Sequence, residues 1–292
     1  MNIYRNAQCI GLLLLSSLVI AENPAAEIEL DIPKNLAMGI KHQSYGFASI
    51  EKSDAELAMV YTLVKMPLGK FDIGNSFFIP TLALEKTAFR FDNVDTNNQE
   101  AYTLKTQFML VTPTDDKWTR IIQVTPSLHS DLEVIDEDAF SLMGLAIWRY
   151  QSTDVSAWTM GVGFNRLFGE YKPIPLVSYQ YQVAEDIQLD LGFPITKAEY
   201  RWQKDWSTYA SIAPVGGNWR YEAENNDKLN ISYTSWIAAA GVRYQFKLKL
   251  WATFEVGQSF ARQLNLNTDS NIDEDLEVAN TPVVMLSFGL HP

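Results

Sequence analysis

The alternation of apolar and polar residues along most of the chain constrains its fold more than any other feature. Successive side chains of a β-strand point to opposite faces, so an alternating segment has one apolar face and one polar face. Repeated with short turns and long polar loops in turn, this pattern is typical of a transmembrane β-barrel. The clearest stretch is residues 101–113, where Tyr102, Leu104, Phe108 and Leu110 alternate with Thr103, Lys105 and Gln107.

The N-terminus has the features of a secretory signal peptide. Arg5 gives a basic start and residues 11–20 are apolar, while Val19 and Ala21 occupy the −3 and −1 positions of a cleavage site. The apolar run is short for the alternative, an uncleaved anchor, which needs roughly 20 apolar residues. We predict a signal peptide over residues 1–21, a periplasmic lead-in over 22–35 and a barrel over 36–292.

Cysteine content and charge exclude several classes of protein. The one cysteine, Cys9, precedes the apolar run, which argues against a lipoprotein. Its removal leaves the mature chain without a disulfide or a thiol nucleophile. The formal net charge is −12, from 23 basic and 35 acidic residues, and no basic stripe for nucleic acid is present.

Acidic residues gather in predicted loops rather than in predicted strands. We interpret these loops as solvated. The alternative is an acidic outer rim that meets divalent cations or disfavours anionic solutes. The acidic segments are residues 92–95, 131–138, 222–227 and 269–277.

The alternation divides the chain into about fourteen strands, an even number as in single-chain bacterial barrels. Reading residues 197–223 as one strand would exchange the sides of the short turns and long loops, so we place a break at 203–205. The fold class predicted is all-β: a transmembrane antiparallel up-and-down barrel with both termini in the periplasm. Twelve strands result if residues 187–202 form a folded-in loop. The predicted strands are residues 36–50, 56–66, 76–86, 101–113, 118–129, 140–150, 157–168, 174–183, 187–193, 197–202, 206–221, 230–246, 250–263 and 281–291.

Aromatic residues cluster near the predicted strand ends, as expected of girdles at the two membrane interfaces. A soluble β-sandwich, the alternative, would hold its tryptophans in the middle of strands. Beside the turns assigned to the periplasm lie Trp118, Trp148, Tyr150, Trp158, Trp202, Trp206, Tyr244 and Trp251. Near the opposite ends lie Phe140, Phe168, Tyr171, Trp219, Tyr221 and Tyr233.

This pattern resembles the large, uncharacterised families of Gram-negative outer-membrane β-barrel proteins. The last strand alternates through Pro282, Val284, Leu286, Phe288 and Leu290, which is similar to the signal such proteins present to the barrel assembly machinery. Here the chain ends in His291 and Pro292 instead of Phe or Trp. The resemblance implies the cell outer membrane as location, and outer-membrane lipid, lipopolysaccharide and the assembly machinery as partners.

The polar half of the alternation is where function is expected. We predict a non-enzymatic passive channel or small-solute transporter without a cofactor, because inward polar residues of a barrel can enclose water. A structural or adhesion-type protein with an occluded lumen is the alternative. The predicted lumen-lining residues are Lys105, Gln107, Gln123, Thr125, His129, Arg149, Gln180, Arg243 and Glu255.

One pair of residues suggests a third function, a lipid-acting hydrolase. His42 and Ser44 share one face of a strand, where the imidazole can act as a general base toward the hydroxyl. The pair resembles the His-x-Ser-Asn arrangement of outer-membrane phospholipases and lipid A deacylases, with Tyr45 in place of asparagine. The alternative is a polar strand position near the interior or rim. We predict no metal site, since His129 and His291 lack a second ligand at a useful spacing.

The barrel fold predicts that an unboiled sample of the mature protein migrates faster on SDS gels than a boiled one. A closed barrel stays compact in SDS until it is heated, because all of its backbone groups pair internally. Identical migration of the two samples would instead favour a soluble β protein.

Overall fold

A computed structural model describes residues 38–93, 98–168, 170–222, 228–246, 250–268 and 273–290. The predicted signal peptide and the whole of the predicted lead-in, residues 22–35, fall outside this part of the chain. Within these ranges, no helix is long and apolar enough to cross a membrane.

The described chain is almost entirely β-strand. Fourteen strands form the wall of a closed barrel, while β3 is a short addition beside β4 and β15 a short addition beside β14. The strands are β1 (Met38–Ser49), β2 (Glu56–Pro67), β3 (Phe71–Ile73), β4 (Ser76–Asp92), β5 (Gln99–Pro113), β6 (Trp118–Ser130), β7 (Phe140–Thr153), β8 (Ser156–Phe168), β9 (Glu170–Ala184), β10 (Ile187–Phe193), β11 (Thr196–Gln203), β12 (Trp206–Glu222), β13 (Lys228–Gln245), β14 (Leu250–Thr268), β15 (Asp273–Val278) and β16 (Thr281–Leu290).

Antiparallel pairing of β1 with β16 closes the wall. Met38 lies opposite Leu290 and Tyr45 opposite Val283, so the first and last strands meet along most of their length. The predicted closed antiparallel barrel of fourteen strands is therefore confirmed, while the periplasmic position of the termini stays a prediction. The predicted break at residues 203–205 is also confirmed, because β11 ends at Gln203 and β12 begins at Trp206. The described chain begins and ends at one rim, which we call the terminal end; the other rim is the loop end.

Two predicted loops are shorter than expected. The loop predicted over residues 87–100 was too long, because β4 continues to Asp92, which pairs with Glu56 of β2. Part of the acidic segment 269–277 is strand β15. Charged residues marked these segments as loops, yet a strand that extends beyond the bilayer can carry charge on its outer side.

The outer face of the wall is apolar. Leu104, Val124 and Phe254 point outward and are 45%, 41% and 50% exposed. Their neighbours along each strand, such as Thr103 and Thr125, point inward and are buried. A continuous apolar surface of this extent is typical of contact with lipid.

An aromatic belt surrounds much of the outer face at the terminal end. The Trp118 and Tyr150 ring centroids are 4.8 Å apart, those of Trp202 and Trp206 are 5.5 Å apart, and Trp206 continues to Tyr244 at 4.5 Å. The assignment of Trp251 to this belt was wrong. Its strand positions alternate so that Trp251 faces inward, where its indole lies over Gly289.

The second predicted girdle was wrong for three of its members. Phe140 and Tyr171 are exposed near the loop end, but Trp219, Tyr221 and Tyr233 are almost fully buried inside the barrel. They belong to the segment we call the inner hairpin, residues 213–222 of β12 and 228–237 of β13. Both faces of this hairpin are buried, at residues 219–221 and again at 231–235.

The inner hairpin bends across the interior because its wall neighbour ends early. β11 pairs with β12 only as far as Ile212, so beyond this residue β12 has no partner on that side of the wall. The strand instead crosses to the far wall, where Arg220 pairs with Ser130 of β6. The Trp219 ring packs edge-on against Phe89 of β4, with centroids 5.3 Å apart.

A β-bulge in β14 directs a charged side chain into the same core. The register shifts by one residue opposite Thr234–Trp236, and Ala261 at the shift has a φ of 48°. The extra residue turns Arg262 inward. Its Nε donates to the Tyr233 hydroxyl at 2.9 Å and its Nη1 donates to the Ala279 carbonyl at 2.8 Å.

Gly217→Ala is predicted to destabilise the inner hairpin. A Cβ at this position would lie 2.6 Å from the Trp219 indole, so the indole must leave its place beside Phe89. Overpacking of this kind is expected to lower stability by about 1–3 kcal/mol. The readout is the temperature at which the fast-migrating band disappears on SDS gels. Gly144→Ala is the matched control, since a Cβ there meets nothing within 4 Å; equal effects of the two substitutions would contradict the packing described.

Candidate functional site

Polar contacts fasten the inner hairpin to the loop between β6 and β7. The Asp136 carboxylate accepts from Lys228 Nζ at 2.9 Å and from Arg220 Nε at 3.2 Å. The Asp131 carboxylate accepts from the backbone N–H of Glu222 at 2.7 Å. We call these contacts the acidic clasp. The interpretation of segment 131–138 as simply solvated was therefore wrong, because Asp131 and Asp136 bind the hairpin.

A second attachment joins the hairpin to the polar inner wall. Trp219 Nε1 donates to the Thr103 hydroxyl oxygen at 3.1 Å. The same oxygen lies 3.1 Å from His129 Nδ1, and His129 Nε2 lies 2.8 Å from the Ser141 hydroxyl. His129, which we predicted to line the lumen, thus connects Thr103, the residue that holds Trp219, to Ser141 of β7.

Paired charges cover the inner wall below the hairpin. Lys105 of β5 donates to Glu85 of β4 at 2.7 Å. Glu199 of β11 forms an ion pair with Lys197, and Arg243 of β13 lies 3.9 Å from the same carboxylate. Each charge in these pairs has an opposite charge in reach, which lowers the free energy of holding it inside the barrel.

A cavity of 270 Å³ lies among polar groups on the inner faces of β6–β11. Arg149 donates to the Gln180 side-chain oxygen at 2.6 Å and so links β7 to β9 across this cavity's wall. Asp190 and Lys197 line the same space, together with Gln188. This arrangement offers both charge signs and several amides to a polar solute.

The predicted lumen residues lie on the inner faces of their strands. Lys105, Arg149 and Gln180 line interior cavities, and His129 lines a smaller one of 120 Å³. Glu255 and Thr125 are buried inside the wall. Gln123 donates to Thr125, while Gln107 alternates in register with Lys105. That they line an open pore stays a prediction, since the hairpin crosses the interior at the loop end.

The two hydrolase candidates do not belong to this site. His42 and Ser44 are on the outer face of β1, on the same side as exposed Ile40, so their expected place near the interior or rim was wrong. His42 Nδ1 lies 2.9 Å from the Thr62 hydroxyl of β2. Among the described residues, no group of three metal-ligating side chains could hold a metal ion.

Sequence reasoning missed several interior residues. Lys41, Glu85 and Thr87 line a second cavity of 270 Å³, and Glu199 lines the first. Strict alternation would have found Lys41, which is two residues from Gln43 on the inner face of β1. Thr87 was placed in a loop, so its strand position could not be assigned.

Comparisons with known proteins give a family of unknown function and structures of similar fold. A family model described as a domain of unknown function, DUF6268, matches residues 51–274. No curated protein matches the chain. An outer membrane channel from Pseudomonas putida F1 is similar in structure, with a TM-score of 0.51 and 9% identity over 92% of this chain and 100% of that one.

Two further structures are similar at lower scores. The Pseudomonas putida toluene transporter TodX has a TM-score of 0.44 and 10% identity, over 88% of this chain and 90% of that chain. The KdgM porin has a TM-score of 0.37 and 8% identity, over 88% of this chain and 99% of that chain. Identities this low concern the fold alone.

The acidic clasp predicts a loss of stability in acid. Although partial burial by itself raises the pKa of Asp136, hydrogen bonds from Lys228 and Arg220 lower it below the ordinary 3.8. A carboxylate with a lowered pKa stabilises the fold above its unfolded-state pKa, and this stabilisation is lost as pH falls through the lowered value. The temperature at which the fast-migrating SDS band disappears should therefore drop as the pH falls below the ordinary carboxyl value of 3.8.

Asp136→Asn isolates this contribution from other acids. The variant should be less stable than the parent at neutral pH and should lose less stability on acidification. Asp116→Asn, an exposed acid in the turn between β5 and β6, is the control and should behave like the parent. An unchanged acid response in Asp136→Asn would show that the clasp does not contribute.

Proposed function

The chain belongs to the DUF6268 family, a domain of unknown function, and on this premise we propose that it is a gated outer-membrane channel for small solutes. The observation that supports this proposal is that the two halves of the barrel interior differ. A polar and charged wall occupies the half near the terminal end, and one hairpin closes the half near the loop end. In this conformation the channel is closed.

The outer surface supports a membrane location. Apolar side chains cover the outer face of the wall, and the aromatic belt lies at one height around the terminal end. Rings of this kind fit the interface between hydrocarbon and headgroups. With the terminal end in the periplasm, the inner hairpin and the acidic clasp face the outside of the cell.

The contacts that hold the inner hairpin in place support its proposed role as a gate. Trp219 of the hairpin donates to Thr103 and packs against Phe89. Arg220 forms an ion pair with Asp136 of the loop between β6 and β7. Its β13 strand remains paired with β14 from Leu229 onward, so the hairpin keeps one edge in the wall. Release of the clasp would let the free edge of β12 move away from β6 without breaking the barrel.

The packed interior favours a second candidate, a structural outer-membrane protein with an occluded lumen. Trp219, Tyr221 and Tyr233 are all buried with Phe89 and Leu57 in one apolar cluster. Burial of a large aromatic side chain contributes about 1.5–3 kcal/mol, so opening this core has a high free-energy cost. A barrel that stays closed would serve through its surface and loops instead.

Conductance across planar bilayers separates the two candidates. We expect rare discrete openings from the parent protein and frequent ones from Asp136→Ala, because this substitution removes the carboxylate shared by Arg220 and Lys228. Asp116→Ala, in a turn at the terminal end, should leave the opening frequency unchanged.

A shortened hairpin gives the stronger test. Residues 214–236 are replaced by Asn-Gly between Ala213 and Ile237, which lie opposite each other in β12 and β13. A two-residue turn of this composition suits an antiparallel pair. The channel proposal predicts a persistently conducting barrel. A variant that keeps its heat-dependent migration on SDS gels but conducts nothing would overturn the proposal in favour of the structural role.

A further inference from the structure

We propose that the cavity beneath the inner hairpin binds a single-ring aromatic carboxylate. This inference rests on the proposed function, because it names the solute class that the channel would accept. The cavity has a volume of 270 Å³ and lies between the hairpin and the inner faces of β1, β2, β4 and β5. We call it the Thr87 cavity.

The size and upper wall of the Thr87 cavity suit one aromatic ring. A cavity of about 150 Å³ is sufficient for benzene, so 270 Å³ accommodates a ring with one substituent. Tyr45, Tyr61, Trp219 and Tyr233 supply aromatic surface around this space. Offset or edge-on contacts between rings add to the favourable free energy of area burial.

Among the charged residues that line the cavity, Lys41 is the cation available to pair with an anionic solute. Glu85 accepts from Lys105 at 2.7 Å and also from the Tyr61 hydroxyl, so its negative charge is matched inside the wall. The Lys41 ammonium lines the same space. The acid that interacts with Lys41 is Glu255 on β14, and this carboxylate also accepts from the Tyr209 hydroxyl. Among the lining side chains, the two cations Lys41 and Lys105 thus face one carboxylate, Glu85, and the acid that interacts with Lys41 lies outside the lining.

A buried hydroxyl without a hydrogen-bond partner is independent evidence that the cavity binds a ligand. Thr87 is 1% exposed, and its Oγ1 has no hydrogen-bond partner among the described residues. An unpaired buried donor raises the free energy of the folded state, so such groups are uncommon unless something binds them. A carboxylate oxygen in the cavity would accept from this hydroxyl while its partner oxygen faces Lys41.

Other solute classes fit these groups less well. A neutral hydrocarbon would leave the Thr87 hydroxyl unpaired and would give the Lys41 ammonium no partner beyond Glu255. A small aliphatic acid would satisfy both groups but would leave the aromatic wall uncovered. The combination of one ring and one carboxylate meets both requirements.

The test is isothermal titration calorimetry on the full mature protein in detergent micelles, with benzoate, benzyl alcohol and acetate as probes. We expect benzoate to bind at least tenfold more tightly than either of the others. Lys41→Met should remove the preference for benzoate over benzyl alcohol, and Thr87→Val should weaken benzoate binding several-fold. Lys86→Met is the matched control, since Lys86 is on the outer face of β4 and should not affect benzoate.

Thr87→Val keeps the test decisive if Lys41→Met fails to fold, because valine matches threonine in shape and removes only an unpaired hydroxyl. Equal heats for benzoate in the parent and in both variants would indicate partition into micelles and would overturn the proposal. A protein that conducts in bilayers yet shows no preference for benzoate would refute the solute class alone. A protein that neither conducts nor binds would refute the proposed function as well.

Discussion

Backbone pairing between β1 and β16 is the constraint on which the rest of the structure depends. A bilayer offers no water to unpaired N–H and C=O groups, so a sheet that crosses it must close on itself. Closure fixes which side of each strand is inside, because side chains alternate across the wall. The apolar exterior, the aromatic belt and the charged interior all follow from this one join.

The short β10–β11 hairpin has the largest effect on the interior. Where these two strands end, the upper part of β12 has no hydrogen-bonding partner on that side of the wall. The β12–β13 hairpin turns inward, and Arg220 pairs with Ser130 instead. Within the described part of the chain, strands of the wall itself therefore fill the barrel interior. Polar attachment at the tip and continuous pairing with β14 at the base give this segment one fixed edge and one free edge.

Sequence alone predicts the wall well because its signal is periodic and local. All fourteen wall strands can be predicted from alternation, and the residues around Gln203 separate into two strands once an even number is required. The inner hairpin could not be predicted this way. Trp219 and Tyr233 have the same alternation and the same place near strand ends as true girdle residues, and only the missing neighbour of β12 turns them inward.

The candidate site was predicted in part for the same reason. Lys105 and Arg149 could be placed on the inner face by counting along one strand. Their partners, Glu85 and Gln180, lie on other strands. The register between two strands cannot be derived from the sequence of either strand alone. The acidic clasp could not be predicted from the sequence, because Asp136 lies in a loop. A loop has no periodic pattern that indicates which groups its carboxylate contacts.

The join between β1 and β16 also affects the order in which the barrel can assemble. Met38 and Leu290 stand at opposite ends of the described chain, so this contact is available only when the final strand is in place. Tyr45 of β1 and Met285 of β16 both belong to the buried cluster around the inner hairpin, and Gln43 contacts Met285 across the join. Completion of the apolar core and closure of the wall therefore both require β16. A half-assembled barrel would have neither a sealed edge nor a packed centre.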